Sequence, residues 1–139
     1  MKKERIKLAI NNHQKGYNCS QAVLCAYHDL MGMDETQAFK IAEGFGSGMG
    51  GLRHTCGAVT AMFMVASYFA SDGDTTQNDS RKSCYANIHD LAKQFEVKNS
   101  SLMCDQLLTC YHHQRYEKLC TSYVEDAVIL LEEWRKQKS

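Results

Sequence analysis

The stretch that most constrains this 139-residue chain is Gly44-Phe-Gly-Ser-Gly-Met-Gly-Gly-Leu-Arg-His-Thr-Cys56-Gly-Ala-Val-Thr-Ala61, because five of the nine glycines fall within its first eight residues. Glycine enters positive φ without steric cost and presents bare backbone, but each one weakens a regular element by roughly 0.5–1 kcal/mol relative to alanine. Five together predict an irregular loop in which backbone comes close to something. The apolar run behind it, Ala58, Val59, Ala61, Met62, Met64, Val65, Ala66, Tyr68 and Phe69, predicts a buried helix with Thr55 as its N-cap. The Cys56 thiol then falls in a helical first turn beside Arg53 and His54.

Hydrophobic spacing on both sides of the loop is helical. Ile6, Ala9, Ile10 and His13 form one stripe of a helix over residues 3–15, ended by Gly16. Asn18 with Gln21 at N3 opens a second, carried by Ala22, Val23, Ala26 and Leu30 to Gly32. Asp34 caps a third that turns Ala38, Phe39, Ile41, Ala42 and Phe45 inward, and the Cys56 helix ends near Ser71. Residues 75–79 are polar and predict an exposed loop. Ser80 starts a helix through Cys84, Tyr85, Ile88, Leu91, Ala92 and Phe95 to about Asn99, and Ser101 caps a short one bearing Leu102, Cys104, Leu107 and Leu108. Tyr111 to Tyr116 is ambiguous; Cys120 precedes a last helix for which Ser122 and Glu125 form a capping box ahead of Ala127, Val128, Leu130 and Leu131. With no alternating pattern, no proline and no repeat, the expectation is an all-α fold: a single compact domain of six or seven helices over residues 1–139.

Lys plus Arg equal Asp plus Glu at 16 each, so no net field points to nucleic acid or an anionic membrane. The charged start has no apolar core before Asn11, and no 18-residue apolar run occurs, which predicts a cytoplasmic protein that is not membrane-embedded. Seven cysteines are an odd number at a density below that of secreted disulfide scaffolds, which favours catalytic, metal-binding or buried roles.

Placement on the helical map divides them. Cys19, Cys56 and Cys104 fall in predicted first turns and Cys120 just before another, where unpaired N–H groups and the helix dipole stabilise a thiolate. Cys56, with Arg53 and His54 adjacent, is expected to titrate lowest. Cys25, Cys84 and Cys110 lie inside helices or at an end, where a small buried hydrophobe suffices. His54 is placed to modulate Cys56, whereas His13, His28, His89, His112 and His113 are expected on helix faces or in solvent. No Cys-x-x-Cys pair exists, so any site is assembled from distant segments. Gly46-Ser-Gly-Met-Gly-Gly51 matches a dinucleotide fingerprint formally, but follows a helical pattern where a strand is required.

The succession Gly16-Tyr-Asn-Cys19-Ser-Gln-Ala, Gly44 to Gly51, Cys56-Gly-Ala-Val-Thr, Cys104 and Cys120 resembles the C_GCAxxG_C_C family of redox-active proteins, small domains named for four shared cysteines and a Cys-Gly-Ala-x-x-Gly motif. The likeness spans roughly residues 7–134, and Ala61 stands where the motif closes on glycine. The resemblance implies that Cys19, Cys56, Cys104 and Cys120 are the family's four cysteines, with a redox role, an unnamed redox partner and a link to transporters. Three uses of these residues stay open. In thiol–disulfide chemistry, Cys56 is the nucleophile and Cys19, Cys104 or Cys120 resolves it. In a Cys₄ zinc or iron–sulfur centre, the same four are ligands and Gly46, Gly48 and Gly50 offer N–H groups to the cofactor. In a helical interaction module the cysteines are core.

Overall fold

The computed structural model describes the backbone of residues 2–109 and 116–138 and the side chains of residues 3–108 and 120–138. Its elements are α1 (Lys2–Gln14), α2 (Cys19–Cys25), α3 (Glu35–Glu43), α4 (Gly46–Met49), α5 (Gly57–Ala70), α6 (Arg81–Asn99), α7 (Cys104–Thr109) and α8 (Tyr116–Lys138). α4 is a single turn whose Ser47 and Gly48 are left-handed, which leaves seven regular helices among the described residues of an all-α fold. Cys110, Tyr111, His112 and His113 lie outside the described residues.

Two helix starts follow directly from the sequence. Asn18 Oδ1 accepts from Gln21 N at 2.9 Å while Gln21 Oε1 accepts from Asn18 N at 3.0 Å. Asp34 and Gln37 repeat the exchange at 2.8 and 3.1 Å. Each such cap is worth ~1 kcal/mol.

Other boundaries moved, each for a local reason. α2 stops at Cys25 rather than Gly32, because Ala26 N and Tyr27 N bond to Val23 O and Leu24 O and tighten the chain into turns. Thr55 is not the cap of α5: it pairs with Met103 in an isolated antiparallel bridge, and Cys56 occupies the cap position. Ser101 Oγ accepts from Met103 N at 2.9 Å, and α7 begins only at Cys104. α8 starts at Tyr116, so Ser122 and Glu125 lie within it and form no capping box, and Cys120 sits in its second turn. Ile41 and Tyr85, expected inside, are 49 % and 61 % exposed.

The core is organised on α2 and α5. Every residue of α2 is buried, and α5 buries Ala58, Val59, Ala61, Met62, Val65 and Ala66 against it. α8 closes the assembly with Val124, Ala127, Val128 and Leu131 on α1, α2 and α5. Full burial of an aliphatic side chain of this size contributes ~1.5–3 kcal/mol. Ala61 is fully buried, so its methyl group is accommodated where the motif has glycine.

Away from the glycine loop a polar network joins α1, α8 and the turns after α2. The buried Tyr27 hydroxyl donates to Glu132 at 2.9 Å, Glu132 also accepts from Arg135 at 2.7 Å, and Arg5 grips Asp29 through two bonds of 2.6 and 2.9 Å. Among the described residues no helix is long and apolar enough to cross a membrane.

Candidate functional site

The glycine loop is a left-handed turn. Ser47, Gly48, Met49, Gly50 and Gly51 have φ of 53°, 71°, 71°, 64° and 85°, and Arg53 follows at 61°. Left-handed backbone costs an ordinary L-residue roughly 1–2 kcal/mol, so Ser47, Met49 and Arg53 store strain that surrounding contacts must hold. Gly50 N bonds to Gly46 O at 2.9 Å, His54 N to Gly48 O at 2.9 Å and Arg53 N to Ser47 O at 3.3 Å. Strained backbone of this kind concentrates at functional sites.

The three glycines expected at a cofactor have separate tasks. A Cβ on Gly48 would stand 2.6 Å from Cys104 Cβ, 2.7 Å from Arg53 Cα and 2.8 Å from His54 N, so only glycine lets these three meet. Gly46 is buried against the Asn18 side chain, with Cγ 2.6 Å from where a Cβ would lie. Gly50 is exposed and left-handed, closing the turn. Of the three, Gly48 alone lines the cavity described next.

A second device joins the loop's exit to the start of α7. Around the Thr55–Met103 bridge, Cys56 N donates to Leu102 O at 2.8 Å and Cys104 N to His54 O at 2.6 Å. Gly57 then lets the start of α5 lie on the start of α2, since a Cβ there would be 2.9 Å from Phe45 O and 3.4 Å from Cys19 Cβ. Cys19, Cys56 and Cys104 are thus brought together by backbone contact, and α8 adds Cys120.

All four line one cavity of about 250 Å³, while Cys25 and Cys84 do not border it. Cys19 and Cys120 are hydrogen-bonded to each other. The Arg53 guanidinium donates to Cys104 Sγ at 3.6 Å, so the cation expected beside Cys56 serves Cys104 instead. His54 is exposed and contributes its backbone. His13, expected on a helix face or in solvent, lines the cavity with its Nδ1 2.6 Å from Thr121 Oγ1. Its place on the apolar stripe of α1 was the available signal. Asn18 also borders the cavity, a position its capping role concealed.

Cys56 does not titrate low. Burial pushes its thiol up to about 12, against a smaller opposing effect of the Val59 and Ala58 N–H groups, which make no cap bond of normal geometry. The physical ranking explains the reversal: a helix terminus contributes ~0.3–1 kcal/mol, whereas full burial shifts an ionisable group by up to 3–5 units. Cys19 is raised well above the ordinary thiol range, first by its bond with Cys120 and then by burial. Cys25 is raised to about 11, mainly by burial. Among the described residues, no three His, Cys, Asp or Glu side chains are grouped so as to hold a metal ion.

One family model matches residues 17–134, under the description "Putative redox-active protein (C_GCAxxG_C_C)". No curated protein and no solved structure gave a match. The matched span runs from the residue before the Asn18 cap to Trp134 in α8 and takes in all four cavity cysteines, and on that extent the chain belongs to the C_GCAxxG_C_C family.

Proposed function

We propose that the protein carries out thiol–disulfide exchange in the four-cysteine cavity, with Cys104 rather than Cys56 as the nucleophile. The observation that supports this reading most is the convergence of Cys19, Cys56, Cys104 and Cys120 from four separate segments on one cavity, two of them already hydrogen-bonded. Cys104 is assigned the attack because the Arg53 guanidinium donates to its sulfur at 3.6 Å, while burial holds Cys56 protonated.

The exchange balances as follows. The Cys104 thiolate attacks one sulfur of an oxidised partner R–S–S–R, giving a Cys104–S–S–R mixed disulfide and one thiolate, which takes up a proton. Cys120 then attacks Cys104, releasing the second RSH, and Cys19 attacks Cys120. The end state is a Cys19–Cys120 disulfide, a regenerated Cys104 thiol and two RSH. The same steps in reverse deliver electrons. The resting dithiol belongs to a reducing compartment such as the cytoplasm.

Single Cys→Ser variants test the assignment. Cys104→Ser should slow alkylation of the most reactive thiol by about tenfold or more. Cys19→Ser should halt at Cys104–Cys120, and Cys120→Ser should trap the mixed disulfide, both visible by mass spectrometry. Cys56→Ala should retain exchange. Stoichiometric iron or zinc in protein purified without oxygen, lost equally on replacing each of the four, would overturn this in favour of a Cys₄ centre. Exchange unchanged in every variant would leave only structural cysteines.

A further inference from the structure

We propose a second binding site, for a soft monovalent metal ion, formed by the thioethers of Met31, Met49 and Met64 in a groove that shares no lining residue with the thiol cavity. It stands independently of the thiol–disulfide reading. Three of the chain's seven methionines line this one groove of about 550 Å³, and they come from three segments: the turn after α2, the glycine loop and α5. Within α5, Thr60, Met64 and Tyr68 recur at four-residue spacing, so they share the helix face that borders the groove. Methionine fills irregular gaps in many cores. Filling would have closed this space, yet it stays open beside three flexible side chains.

Met49 carries the most weight of the three. It holds φ 71° between Gly48 and Gly50, in a turn where glycine adopts the same backbone without steric cost. A side chain kept at such a position has a use beyond the turn. Thr60 Oγ1 stands 4.0 Å from Met49 Sδ, which places that sulfur against α5, about one helical turn from Met64. The chemistry of the lining then selects the ion. No charged side chain, histidine or cysteine lines the groove among the described residues. Hard cations, which take oxygen ligands, and zinc, which takes thiolate, imidazole or carboxylate, find no such donor set there. Neutral thioethers suit Cu(I) and its analogue Ag(I), and a single charge is the least costly to desolvate.

The test titrates Ag(I), which is redox-inert, into the full reduced chain labelled with carbon-13 at the methionine methyl groups. Thiols fill first. A further equivalent should then move the methyl signals of Met31, Met49 and Met64 together and leave in place that of Met62, which is buried outside the groove. Mild acid, which displaces metal from thiols, should not abolish this step, and Zn(II) should move none of the three signals. Met49→Leu keeps the volume and removes the sulfur, so it should weaken the step by about tenfold or more, whereas Met62→Leu should not. Native mass spectrometry supplies a separate count: the chain with Met31, Met49 and Met64 all replaced by leucine should hold a single silver fewer than the unaltered chain. Shifts at only one of the three, equal shifts at Met62, no shift once the thiols are filled, or an equal silver count in the triple variant would each overturn the site, and none of these results bears on thiol exchange.

Discussion

The two ends of the molecule hold themselves together by opposite means. Around Tyr27, Glu132, Arg135, Arg5 and Asp29, polar groups that range from buried Tyr27 to exposed Asp29 meet in bonds of 2.6–2.9 Å, and none of the five residues has positive φ. Around the thiol cavity, three ordinary residues are bent into left-handed backbone and three buried cysteines face one another. A network of satisfied hydrogen bonds minimises local free energy, whereas strain and clustered sulfur raise it and are tolerated only where the surrounding fold imposes them. The scaffold end therefore stabilises, and the loop end uses part of that stability to fix a reactive geometry.

The comparison breaks most sharply at Gly48. Gly48→Val should cost at least about 3–5 kcal/mol, since left-handed strain adds to collisions with Cys104 Cβ and Arg53 Cα. Gly73→Ala, at φ 72° with nothing within 4 Å, isolates the backbone cost alone at about 1 kcal/mol. Denaturant midpoints of the two variants measure the difference, and equal losses would mean the loop is an ordinary connector.

Next in size is Tyr27→Phe. It removes the hydroxyl from Glu132 but leaves the Arg135 bond in place, so about 1–2 kcal/mol should be lost. Alkylation rates at Cys104 should not change. A change there would show that the two ends are coupled.

The smallest effect is on pH. Because the folded state binds the Cys56 proton more tightly than the unfolded chain, the stability this thiol contributes is complete below about 9 and is lost as pH rises toward about 12. Asp29 has the opposite sense: Arg5 holds its carboxyl at about 2, so its contribution is present above the usual carboxylate range and is lost as pH falls toward about 2. The Asp29 limb should be slight, since that side chain is 52 % exposed. Unfolding free energies across pH, for the native chain and for Cys56→Ala, should show the alkaline decline reduced in the variant and the acid limb unchanged.

What the sequence made legible was local. The capping box at Asn18 and the cap at Asp34 were readable because each is complete within four residues. The four cysteines were separable from Cys25 and Cys84 because helix position and motif agreed, although Cys120 reached the cavity from inside α8 rather than from its start. What failed was set by distance. Thr55 lost its cap role to Met103, 48 positions on, and Arg53 found Cys104 rather than its neighbour Cys56. The acidity of Cys56 was misjudged because burial is a property of the assembled fold. No helical periodicity announces a bridge of single residues.

That bridge changes what the helices are required to do. Residues 54 to 56 and 102 to 104 are tied by backbone groups alone, through Cys56 N to Leu102 O and Cys104 N to His54 O. The relative placement of those two cysteines is then governed by a ladder geometry common to all peptides, not by the shapes of the side chains packed beneath. Leucines, valines and methionines of α5 and α8 are free to exchange with one another over evolutionary time, so long as volume is kept, without detuning the distance on which the sulfur chemistry depends.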